Sequence, residues 1–124
     1  MKKLAILSIC LASLILLGCG DSYETLRKKQ LETVIEANWV LTGIKDRVTA
    51  EGAKAKLKTL GDQWRSLAAR MEKVKSTEAE RKQALSLNQQ LTQEIIKFTG
   101  QSIRVVLIPG GKEALEQIGD LKKK

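Results

Sequence analysis

Apolar residues recur at helical spacing along most of the chain. Leu26, Leu31, Val34, Ile35, Trp39 and Leu41 mark one face of a helix predicted from Ser22 to about Ile44. Asp21 and Glu24 before it form a D-x-x-E approximation to a capping box. The clearest pattern follows. Ala50, Ala53, Leu57, Leu60, Trp64, Leu67, Met71 and Val74 alternate in steps of three and four, an unbroken a/d seam over three and a half heptads. Thr49 stands where an N-cap belongs. Gly52 and Gly61 weaken this helix by about 1 kcal/mol each relative to alanine. Small residues at the start of the seam and bulky ones later predict close helix approach near Ala50 and wider spacing near Trp64.

Ser76-Thr77 interrupts the seam, and Thr77 with Glu80 makes a capping box for a third helix carrying Ala84, Leu87, Leu91, Ile95 and Phe98. The β-branched run Ile103 to Ile108 favours a strand locally. A lone strand would leave its backbone unpaired, so the third helix is expected to continue through Gly100 to about Leu107. Pro109-Gly110-Gly111 stops it. Leu115, Ile118 and Leu121 then predict a short amphipathic helix from Lys112 to Leu121 that folds back. The expected fold is all-α: a three-helix antiparallel bundle, coiled-coil-like, with a short C-terminal helix.

Composition narrows the chemistry. The 124 residues contain no histidine, two cysteines and four aromatics. A Ser-His-Asp triad and histidine zinc ligation are therefore excluded, and a base-stacking surface is poorly supplied. Gly110-Gly111-Lys112 suggests a phosphate loop, but Val106 and Glu113 occupy the positions where that motif needs Gly and Ser/Thr. The acids are scattered among basic residues instead of paired for acid–base work. No catalytic residue, metal site or cofactor is expected.

Residues 1–18 have the anatomy of an export signal: Met1-Lys2-Lys3 is basic, and Leu4 to Leu17 is uncharged and mostly apolar. That stretch is short of the about 20 apolar residues that span a bilayer. Leu16-Leu17-Gly18-Cys19 resembles the lipobox of bacterial lipoproteins. The resemblance implies cleavage before Cys19, lipid on its sulfur, palmitate-type acylation of the new amino terminus, and a membrane tether. Residues 19–21 then form the lipidated N-terminus and residues 22–124 the helical domain. Cys10 leaves with the signal and Cys19 is consumed, so the mature chain has no disulfide. Gly20 after the cysteine, with Asp21 only at the next position, leans towards the outer membrane if the cell has one.

The mature part is also similar to short exported bacterial helical proteins that carry a motif like Ile44-Lys45-Asp46…Thr49-Ala50…Ala53-Lys54…Leu57 and a later Ile108-Pro109-Gly110-Gly111. A looser likeness is to the major murein lipoprotein, through Cys19, the seam and the terminal Lys124, although this chain ends Leu121-Lys122-Lys123-Lys124.

Charge adds one further candidate. Residues 45–75 hold nine basic and four acidic side chains, most of the excess of the mature chain. Lys54, Lys56, Arg70 and Lys75 flank the seam, where pairing with Glu32, Glu36, Glu80 or Glu94 is expected. Lys58, Arg65 and Lys73 point outward and are the candidate contacts for an anionic ligand. Trp39 and Trp64 are expected in the core, and Asn38 and Asn88 are candidates to pair with each other and fix helix register. The expected function is a membrane-tethered, non-enzymatic structural or protein-interaction module of the cell envelope. The alternative is a binder of anionic wall polymer or lipid through the basic second helix. The expected partners are the membrane through Cys19 and an envelope protein or wall polymer, with no nucleic acid.

Overall fold

A computed structural model describes residues 22–119; the signal segment, Cys19, Asp21, Leu121 and Lys124 lie outside the described residues. It is all-helical, with five helices in the order α1 (Tyr23–Thr42), α2 (Arg47–Lys73), α3 (Glu78–Gln83), α4 (Leu85–Val106) and α5 (Gly111–Glu116). The β-branched run is therefore helical through Val106. Among the described residues there is no strand.

The starts of the helices follow capping chemistry. Ser22 caps α1 by accepting a hydrogen bond from the Thr25 amide at 3.1 Å. At α2 the cap is Asp46, not Thr49. Thr49 is three residues further on and completes a reciprocal capping box, its hydroxyl oxygen accepting from the Asp46 amide while Asp46 accepts from the Thr49 amide. Thr77 and Glu80 form the expected box at α3. The third helix is bent at Ala84, which is fully buried with ψ near 8°. Backbone bonds carry across the bend, from Ala84 to Glu80 and from Asn88 to Ala84, so α3 and α4 act as one kinked rod.

The central helix is α1. Glu36 meets Lys56 while Ser22 lies near Lys73, so α1 and α2 run antiparallel. Tyr23 meets Asn88, Asn38 meets Glu94 and Leu41 meets Arg104, so α1 and α4 run parallel. The backbones of α2 and α4 do not approach each other; α1 touches both, and α5 touches both.

The gap between α2 and α4 is filled at one end only. There α5 runs beside the first half of α2, from Gly110 against Ala50 to Ile118 against Gly61. Leu41, Ile44, Ala50, Ala53, Leu57, Val105, Ala114 and Ile118 form the main buried cluster at this end. The early part of the seam is small because α5 needs the room. Towards the other end Leu31, Val34 and Leu91 form a smaller cluster, with Trp64, Leu87 and Phe98 partly covered against it, and Leu26 and Ala84 are fully buried beyond it.

The short helix α5 is briefer than the sequence pattern suggests. It ends at Glu116, and Gln117, Ile118 and Gly119 continue in tighter i→i−3 turns. Gly119 then adopts φ 78°, a left-handed conformation that stops a helix.

Candidate functional site

Two faces of the molecule bring chemistry-bearing residues together. The first is the outer surface of α2, where Lys58, Arg65 and Lys73 were expected to meet an anionic ligand. Lys58 and Arg65 converge on one carboxylate, Asp62, at 3.1 Å and 2.5 Å. Hydrogen bonds from Lys58 and then Arg65 hold the Asp62 carboxyl below its usual range. Arg65 has a second task, since its guanidinium also donates to the Ile118 carbonyl and ties the end of α5 to α2. Lys73 is exposed in the last turn of α2, two turns beyond Arg65. The structure thus joins Lys58 and Arg65 through Asp62 and leaves Lys73 apart from them. Of the pairs expected beside the seam, Lys56–Glu36 forms at 2.6 Å, whereas Lys54 turns to Glu51 on its own helix.

Where α2 and α4 stay apart, their inner faces wall an apolar cavity of about 240 Å³. Leu60, Gly61 and Trp64 come from α2, Ile95 and Phe98 from α4, Val34 and Ala37 from α1, and Ile118 closes one end. Thr33 is the one polar side chain in the wall, and its hydroxyl already donates to the Lys29 carbonyl at 2.8 Å. Such a space offers contact to apolar groups and no recognition of charge. For scale, a dry apolar cavity of about 150 Å³ accepts benzene. Trp64 is half-buried in this wall, in keeping with the expected core role.

The second face is the junction of α1 and α4, held by polar ties that the sequence did not reveal as a set. Near the first turns, the Asn88 amide donates to the Tyr23 hydroxyl at 3.2 Å. Burial pushes the Tyr23 phenol up, but hydrogen bonds with Arg27 and Asn88 outweigh it and the net shift is downward. Midway, the Asn38 amide nitrogen donates to the Glu94 carbonyl at 2.9 Å and to its carboxylate at 3.0 Å. Hydrogen bonds from Lys97 and then Asn38 keep the Glu94 carboxyl below its usual range. The two asparagines therefore do not pair with each other, because they lie at different levels of the bundle. Each instead spans from one helix to the other, and the buried Asn38 Oδ1 has no partner among the described residues.

At the far end Arg104 donates to the carbonyls of Leu41 at 2.6 Å and Ile44 at 2.9 Å. These groups sit at the C-terminal end of α1, where carbonyls lack partners within the helix and a cation opposes the helix dipole favourably. Beside these ties runs a trough lined by Ile35, Asn38, Trp39, Lys45, Lys97 and Gly100, among others. Trp39 does not enter the core. Helical geometry turns Val34, Ala37, Asn38 and Leu41 inward and leaves Ile35 and Trp39 on the flank.

Among the described residues no group of three or more Cys, Asp or Glu could hold a metal ion, and no helix is long and apolar enough to cross a membrane. Comparison with known proteins gives no matching family model, curated protein or solved structure.

Proposed function

We propose that this chain is a membrane-tethered, non-enzymatic lipoprotein whose three-helix antiparallel bundle, built on a coiled-coil-like seam, serves as a structural or protein-interaction module of the bacterial cell envelope. The tether is lipid on Cys19, as the resemblance of Leu16-Leu17-Gly18-Cys19 to a lipobox implies. The observation that supports an interaction role is the cavity between α2 and α4, which is apolar, half-open and unsuited to polar substrates. It is a seat for apolar side chains of a partner.

Two measurements test this reading. The intact mass of the protein recovered from membranes should correspond to a chain beginning at Cys19 with diacylglyceryl and acyl groups; a chain retaining Met1, or one without lipid, removes the tether. A photoreactive side chain in place of Ile95, at the cavity wall, should give a discrete cross-linked species in the native envelope. Absence of any adduct removes the interaction role.

A further inference from the structure

The sequence of α4 is apolar on two faces, and the fold covers only one. Leu91 and Val105 are buried and Phe98 is packed against both clusters, all at intervals of seven. On the opposite side Ile96, Ile103 and Leu107 follow at intervals of seven and four, which places them on one face of the helix. They are 66%, 64% and 81% exposed, and Trp39 on the neighbouring flank of α1 is 77% exposed. Lys97, Gly100 and Arg104, on the flank of α4 that meets Trp39 across the trough, separate this stripe from the tryptophan. Large exposed apolar residues rimmed by polar ones mark a contact surface.

Charge indicates what that surface meets. The trough between Trp39 and α4 is rimmed by Lys45, Lys97 and Arg104. The carboxylate in this trough, Glu94, is mostly covered and already bound by Lys97 and Asn38. On the other side of Trp39 lie Glu32 and Glu36, the latter paired with Lys56. An apolar ridge with an exposed tryptophan and a cationic border is the pattern of an element that lies in a membrane interface. A second copy of the same face fits less well, because two-fold pairing would bring the cationic rims together.

We propose that the α1/α4 face docks on an anionic lipid surface, with Trp39, Ile96 and Ile103 entering the headgroup region and Lys45 and Lys97 contacting lipid phosphates. The inference deepens the tethered-lipoprotein reading and rests on it: lipid on Cys19 supplies the anchoring, and a basic face beside it governs orientation on an anionic surface. The tether brings the chain to the bilayer, and this face sets how the bundle lies on it.

The full chain recovered from membranes, carrying Trp64→Phe so that Trp39 is the sole tryptophan, is reconstituted in vesicles. One set contains phosphatidylcholine alone and the other includes phosphatidylglycerol. Trp39 emission should shift to shorter wavelength and resist aqueous quencher only in the anionic vesicles. Lys45→Gln and Lys97→Gln should each lower the docked-to-undocked ratio about fivefold, and added salt should act in the same direction.

Trp39 equally open to quencher in both vesicles overturns the proposal. So does protection that tracks protein density and ignores lipid charge, which would assign the face to a second copy. Intact mass of the same sample reports separately on Cys19. Unlipidated protein whose Trp39 is still protected on anionic vesicles would retain the docking face and discard the tether.

Discussion

The two ends of the bundle are built from the same three long elements, yet they differ in how completely the space between α2 and α4 is filled. At the end where α1 hands over to α2, α5 is inserted, and Leu41, Ile44, Leu57 and Val105 are fully buried. Towards the other end α5 is absent, and although Leu26 and Ala84 are fully buried there, the cluster of Leu31, Val34 and Leu91 borders the open cavity. Two close backbone approaches mark the filled end: Gly61 against the backbone of Ile118, and Gly111 against that of Val105. The seam on α2 therefore has two jobs. Its small residues, Ala50 and Ala53, admit a fourth element, while Trp64 further along walls the opening and Leu67 beyond it is buried again.

That contrast makes its largest prediction for two leucines. Leu57→Ala at the filled end should cost about 4 kcal/mol, because the surrounding residues are fixed on every side and cannot collapse into the void. Leu91→Ala at the open end should cost about 2 kcal/mol, since neighbours beside an opening can shift or admit water. Urea unfolding of both variants measures the pair, and equal losses would mean that the two ends are equally packed.

Next in size is Gly61→Ala. A Cβ there would collide with the carbonyl, carbonyl carbon and Cα of Ile118, none of which can rotate away. A loss of about 2 kcal/mol is expected, the usual range for overpacking. The loss should come with faster proteolysis near Ile118, because relief of the clash requires α5 to lift off α2. An unchanged cleavage rate would place the strain elsewhere.

Arg104→Gln should cost about 1 kcal/mol, less than a buried charged bond because the side chain is partly exposed. The shorter amide cannot reach the carbonyls of both Leu41 and Ile44, so α1 should fray from its C-terminal end. Hydrogen exchange should quicken at the last turn of α1 and leave its first turn unaffected. Uniform quickening along α1 would show that Arg104 acts on global stability and not on this helix end.

Much of the helical content was legible in the sequence because local rules decide it. The seam of α2, the Thr77–Glu80 box and the stop at Pro109-Gly110-Gly111 all rest on residues a few positions apart. Caps were legible as a region but not as a residue: Asp46 and Thr49 both suit the position, and only backbone geometry shows which one leads. What escaped depends on distant pairings. Arg104 gives no local sign that it will reach Leu41 and Ile44, and Arg65 gives none that it will bind the Ile118 carbonyl. The second apolar stripe of α4 was in plain sight as Ile96, Ile103 and Leu107. Ile103 and Leu107 fell in the run read as strand or helix and Ile96 was not singled out, because a periodic pattern does not tell which of two apolar faces the fold will cover. Trp39 was misplaced for the same reason, as it lies one residue from the truly inward positions.

The smallest expected effect has the opposite sign. Gly52 lies in α2 near the filled end, as Gly61 does, but on its outer side, where an added Cβ would meet nothing within 4 Å. Gly52→Ala should therefore stabilise the chain by about 0.5–1 kcal/mol, through reduced backbone freedom in the unfolded state and better helix propensity. The same chemical change nine residues later should destabilise it. If both substitutions stabilise, α5 does not press against Gly61 and the filled end is looser than its contacts imply. If both destabilise, Gly52 must face a contact that the described residues do not supply, and the outer side of α2 would join the α1/α4 face as a surface that something else covers.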